Sequence, residues 1–204
     1  MYVSSRSSSW LLTAALVGYF TSLSSGAGGG LDAAATHNDG AAPDAGPVQC
    51  SSASQCAHLG EAYAEAKGVP RDFERAAQYF QIGCETGDIG SCLGAAQIRK
   101  VGMGARRDEA LALRLFLRVC DSGDQTACRF AGEMYETGSR TPGVVAKDEP
   151  KAAQVYDRAC KNGEGPACSR LASMYEAGRG VKKDKRRAAS LQKEGARLGF
   201  DPRE

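Results

Sequence analysis

The 204-residue chain is poor in the residues that usually do chemistry. It has two histidines, His37 and His58. No Ser-His-Asp or Cys-His arrangement can be assembled convincingly from so few. Nor does it contain C-x-x-C or C-x-x-C-H, which excludes the usual redox and haem-attachment signatures. Close C-x2–4-C pairs, the ordinary zinc spacing, are missing as well. We therefore expect no metal, no cofactor and no catalytic residue. Long apolar runs are also scarce. The stretch WLLTAALVGYFTSL, residues 10–23, follows the lone charge Arg6 and is shorter than the about 20 apolar residues of a membrane span. It fits the apolar middle of a signal peptide over residues 1–27, with Ser25 and Ala27 at the cleavage positions. Residues 28–49 hold almost no large apolar side chains and read as a disordered Gly/Ala/Pro/Asp linker.

Charge of one sign does not dominate either. Without residues 1–49 the chain keeps 25 Lys/Arg against 21 Asp/Glu, net +4, which is too even to argue for nucleic acid. A local basic run, GRGVKKDKRRAAS at 178–190, reads as a solvated helix start, with a patch for anionic lipid or polymer as the sharper alternative.

What is present repeats. Cys56, Cys92, Cys128 and Cys168 stand 36, 36 and 40 residues apart. Four residues after each is a small residue: Gly60, Ala96, Gly132, Ala172. Seven residues after stand Tyr63, Arg99, Tyr135 and Tyr175. An aspartate follows in every unit, at Asp72, Asp108, Asp148 and Asp184. Each reads as the N-cap of a helix, accepting from unpaired backbone N–H groups. Four residues on is always alanine, eight on is Phe80, Phe116, Tyr156 and then Gln192, and fifteen on is always glycine. Alanine and aromatic share one helical face, and the glycine is a left-handed stop. Two helices per unit, A and B, in four units make an all-α solenoid.

The segments LGEAYAEAKGVPRDFERAAQYFQIGCETGD (59–88) and LASMYEAGRGVKKDKRRAA (171–189) resemble the Sel1-like repeat, a relative of the tetratricopeptide repeat. The unit at 89–124 departs with Arg99 in the tyrosine position, and the unit at 125–164 carries an insertion at Ser139–Val145. The fold class that follows is all-α: an α/α solenoid of about four Sel1-like helix-turn-helix repeats over 50–204, near 51–88, 89–124, 125–164 and 165–204. The cysteine pairs further resemble the secreted Helicobacter cysteine-rich protein family, which implies one disulfide per helix hairpin.

On that reading Cys84 ends one helix B, Cys92 opens the next helix A, and Gly87 turns the chain between them. Their ends come within disulfide reach. The expected pairs are Cys84–Cys92, Cys120–Cys128, Cys160–Cys168 and, as a terminal cap, Cys50–Cys56. The position equivalent to Cys84 in the last unit is Ala196, where no further helix A follows. Disulfides imply a secreted, periplasmic or cell-envelope location.

A solenoid without chemistry is ordinarily a recognition surface, its A helices lining a concave groove. The outward positions expected there are His58, Glu61, Gly94, Gln97, Phe130, Glu133, Arg170 and Ser173, facing a protein or peptide partner. Phe130 is equally readable as a core residue. The contrasting reading is a weak β-lactam hydrolase, an activity implied by the cysteine-rich resemblance alone. Ser190 and Lys193 match S-x-x-K, but no S-D-N or K-T-G accompanies them. The insertion is expected to protrude as a loop without disturbing its neighbours.

Overall fold

The computed structural model describes residues 48–200. The expected signal segment and nearly all of the linker lie outside the described residues. Eight helices of equal length follow one another: α1 (Ala53–Glu65), α2 (Phe73–Glu85), α3 (Ile89–Val101), α4 (Glu109–Asp121), α5 (Gln125–Thr137), α6 (Glu149–Lys161), α7 (Gly165–Ala177) and α8 (Lys185–Arg197). Odd-numbered helices are the A helices and even-numbered the B helices. Each packs on its neighbours in sequence, and no strand occurs among the described residues.

The four repeated aspartates cap the B helices. Their carboxylates accept from the backbone N–H of Arg75, Leu111, Lys151 and Arg187, at 2.9–3.0 Å. Removing such a cap costs roughly 1 kcal/mol. Each capping aspartate also donates its own N–H to a carbonyl on the preceding helix A. The acceptors are Tyr63, Arg99, Tyr135 and Tyr175, at 3.0, 2.9, 2.8 and 2.9 Å. The bond is made by the backbone, so Arg99 makes it as well as tyrosine does.

The B helices end at three-residue connectors into the next helix A. Gly87, Gly123 and Gly163 hold φ of 107°, 109° and 96°, a region costly for any residue with a Cβ. The following residue completes a Schellman closure: Asp88 donates to Gly83, Asp124 to Val119 and Glu164 to Ala159. Asp88 and Asp124 then turn their carboxylates forward to cap α3 and α5. The A helices therefore start three residues before the cysteine. Glu164 makes no side-chain cap on α7.

All eight cysteines are paired. Cys84–Cys92, Cys120–Cys128 and Cys160–Cys168 bridge the connectors, with Cα–Cα separations of 4.5, 4.6 and 4.7 Å, and Cys50–Cys56 ties the chain entry to α1 at 5.4 Å.

The core is built from the recurrent face. Ala76, Ala112, Ala152 and Ala188 are buried, as are Phe80, Phe116 and Tyr156. The rings lie on glycine backbone. A Cβ at Gly60 would stand 2.6 Å from the Phe80 ring and one at Gly132 would stand 2.6 Å from that of Tyr156. Gly94, expected to face outward, is buried, with the other side of Phe80 against it. Two residues past Cys92, it lies on the side of α3 that the Phe80 ring of α2 covers, which leaves no space for a side chain there.

The insertion leaves the repeat register intact, since Asp148 still bonds to Tyr135. It is nevertheless not a free protrusion. Val145 is buried, Ser139 and Val145 bond across the loop, and the backbone N–H groups of Arg140 and Thr141 donate to the Glu109 carboxylate at 3.0 and 3.5 Å.

Candidate functional site

Seven of the expected outward positions are solvent-accessible in whole or part. His58, Arg170 and Ser173 are exposed, while Glu61, Gln97, Phe130 and Glu133 are half-buried. They lie on α1, α3, α5 and α7, the A helices.

The strongest grouping on this face centres on Phe130. Its ring packs against the buried Phe116, 5.2 Å between centroids. Two cations flank it, Lys100 Nζ at 4.8 Å and Arg129 Cζ at 4.4 Å from the centroid. Contacts of this kind contribute roughly 0.5–1 kcal/mol at accessible sites. Glu133 ties the two cations together, accepting from Lys100 at 3.3 Å and Arg129 at 2.7 Å. Arg129 also reaches Glu164 at 2.9 Å. Glu164 thus spends its carboxylate on this contact rather than on a side-chain cap of α7. Burial disfavours the Arg129 charge, but Glu164 and Glu133 outweigh it and hold the guanidinium above its usual range. The group spans two repeats, with the Lys100–Glu133 pair as the polar link between them.

At the N-terminal end, burial pushes the Glu61 carboxyl up, His58 partly offsets this, and Glu65 adds to it. At the C-terminal end, Ser173 Oγ accepts from Arg179 at 3.1 Å. Arg179 also pairs with Glu136 at 2.6 Å, and Glu136 accepts from the Tyr156 hydroxyl at 2.9 Å. Glu136 is only 9% exposed. Burial, then Glu136, raises the Tyr156 hydroxyl far above the ordinary tyrosine range and keeps it neutral. Sequence reasoning missed this network because Arg179 and Glu136 are 43 residues apart.

Arg99 is accounted for similarly. It is 9% exposed and makes a two-pronged pair with Glu74 at 2.9 and 3.0 Å, with a further bond to the Arg106 carbonyl. Glu74 in turn accepts from the Arg106 N–H. Hydrogen bonding to Arg99 pulls the Glu74 carboxyl below its usual range.

No comparable device surrounds Ser190 or Lys193. Both are exposed on α8, and neither side chain makes a hydrogen bond among the described residues. A nucleophile needs a base within about 3 Å, itself oriented by a third group.

The Sel1 repeat family model matches residues 56–88, 91–124, 125–164 and 165–200. The chain belongs to the Sel1 repeat family. Its matched units follow the boundaries read from the cysteine register. No curated protein sequence matches the chain. Among solved structures it is similar to c5321 of uropathogenic Escherichia coli, described as a protective antigen with an SLR fold, at 25% identity, TM-score 0.66 and 72% of this chain. It is also similar to a Sel1 repeat protein from Oxalobacter formigenes, at 24% identity, TM-score 0.65 and 72% of this chain. The match spans 31% and 59% of those two proteins' own lengths. Cysteine-rich protein B of Helicobacter pylori matches at 28% identity and TM-score 0.49, over 64% of this chain and 91% of that one.

Proposed function

We propose that this Sel1 repeat protein is an exported binding scaffold that takes a protein or peptide segment along its A-helix face. The observation that carries the reading is the Phe130 group. An accessible aromatic ring, held between two cations and locked by Glu133 and Glu164, is a preorganised anchor of the kind that dominates recognition surfaces. His58, Glu61, Gln97, Arg170 and Ser173 extend the same face to both ends. Export is supported by the apolar run at 10–23 and by four disulfides, which persist in oxidising compartments. The recurrent residues are occupied by capping, packing, turning and bridging, which favours a scaffold over an enzyme.

The test places a photo-crosslinking residue at Gln97 or Ser173 of the oxidised protein, with Gln154 on the B-helix side as comparison. Adducts are expected from the first two, reduced by Phe130→Ala. Adducts from Gln154 alone would refute the face. A chromogenic β-lactam assay supplies the enzymatic counter-test: turnover abolished by Ser190→Ala would replace the scaffold with a hydrolase.

A further inference from the structure

The two edges of the solenoid differ in charge. One edge is formed by the A-to-B turns, residues 66–71, 102–107, 138–147 and 178–183. These carry two, two, two and three Lys or Arg; counted up to the start of helix B, each turn also holds one acid, the capping Asp72, Asp108, Asp148 or Asp184, so every one keeps a positive balance. The opposite edge is formed by the B-to-A connectors at 86–88, 122–124 and 162–164. Each of these carries one acid and no base. The stacking of repeats sets the basic turns side by side: Gly104 of the second turn lies against Phe73 at the end of the first, and Gly180 of the fourth lies against the Glu149 backbone at the end of the third.

Much of this charge is uncommitted. Arg71, Arg106, Arg140, Lys182 and Lys183 are exposed and have no carboxylate partner among the described residues. The aspartates that follow the turns direct oxygens to the amides of the B helices. A second observation falls on the same edge. Val101 and Val144, 39% and 44% exposed, are the two exposed large hydrophobic residues among those described. Val101 ends α3 where the second turn begins, and Val144 tips the inserted loop while Val145 is tucked inward. Monomer surfaces tolerate single exposed valines. Two on a row of unpaired cations form a pattern of positive charge with apolar tips.

We propose that this edge docks the solenoid onto the surface of an anionic lipid bilayer. Lysine and arginine near such a surface each contribute on the order of 1 kcal/mol, and the attraction fades within a Debye length. An anionic polymer would satisfy the cations equally but offers nothing to the valines, whereas a bilayer interface accepts both. The A-helix face stays clear of the lipid in this arrangement, so docking and partner binding are separable.

The experiment is co-sedimentation of the oxidised full-length protein with phosphatidylcholine vesicles, with and without phosphatidylglycerol. The apolar run at 10–23 contributes to both vesicle types, so the difference between them reads the edge. Stronger binding to the anionic vesicles, weakened by salt, is expected. The triple variant Arg106→Gln/Arg140→Gln/Lys182→Gln should lower that binding on the order of a hundred-fold. Val144→Ser should lower it by about five-fold. Lys161→Gln/Lys193→Gln, near the opposite edge, should leave it unchanged, and circular dichroism checks that each variant folds. Equal binding to neutral and anionic vesicles would overturn the proposal, as would a triple variant that binds like the parent. Capture by dextran sulfate without any capture by anionic vesicles would also overturn it and identify a polyanion site instead.

Discussion

The two kinds of turn solve the same problem by different means. The B-to-A connectors are three residues long, and each has a left-handed glycine, a Schellman closure and a disulfide. The A-to-B turns run from seven to eleven residues and have no covalent link. A single recurring backbone hydrogen bond and a set of ion pairs hold them. The first edge leaves no room for variation in length. The second absorbs an insertion, replaces tyrosine with Arg99, and carries the charge. A repeat protein can thus keep its geometry on one edge and vary its chemistry on the other.

Breaking the bridged edge should have the largest effect. Cys120→Ser with Cys128→Ser is expected to lower unfolding free energy by about 2–3 kcal/mol, measured by denaturant titration, because the bridge acts largely on the unfolded chain. The helical circular dichroism should not change. On the open edge, Glu136→Ala should cost about 2 kcal/mol, since the Tyr156 hydroxyl and Arg179 then lose a buried partner. A loss as large as that from the disulfide would show that the two edges are equally firm.

Deleting residues 140–143 should cost about 1–2 kcal/mol. Loop closure depends only weakly on length. The penalty comes instead from the Glu109 carboxylate, 8% exposed, which loses the amides of Arg140 and Thr141. Combining the deletion with Glu109→Ala should therefore recover most of the loss, and strict additivity of the two would contradict this account.

The smallest effect concerns pH. Glu74 titrates below its usual range because Arg99 and the Arg106 N–H bond its charged form. The stabilisation is fully present above the ordinary glutamate range and is lost as pH falls through the depressed value. Glu74 remains partly exposed, so screening keeps the effect small. Glu74→Gln should lower stability slightly at neutral pH, and its difference from the parent should vanish as pH falls through the acid limb.

The helix framework was legible because its signals are local. The capping aspartates, the glycines after each helix B and the recurrent cysteines fall at fixed spacings within one unit. The second set of caps, Asp88 and Asp124, was equally visible but reads as plain turn sequence until the Schellman closure shows both ends of the residue in use. The polar links were not legible. Arg99 with Glu74, Arg129 with Glu164 and Arg179 with Glu136 join residues 25, 35 and 43 positions apart, the first and last across two units and the middle pair across the length of one. No periodicity announces a pair whose members occur once. Gly94 was misplaced for a related reason: helix position alone does not say that Phe80 of the preceding helix lies across it.

The placement of the bridges also determines how the protein comes apart when cut. A nick between Cys84 and Cys92 leaves both fragments covalently joined, whereas a nick at Lys67, Arg106, Arg140 or Lys182 separates everything on either side. Trypsin favours those basic sites. Limited digestion under non-reducing conditions should therefore release α2 with α3, α4 with α5 and α6 with α7 as linked pairs. The durable covalent module is offset by one helix from the module that the sequence repeats.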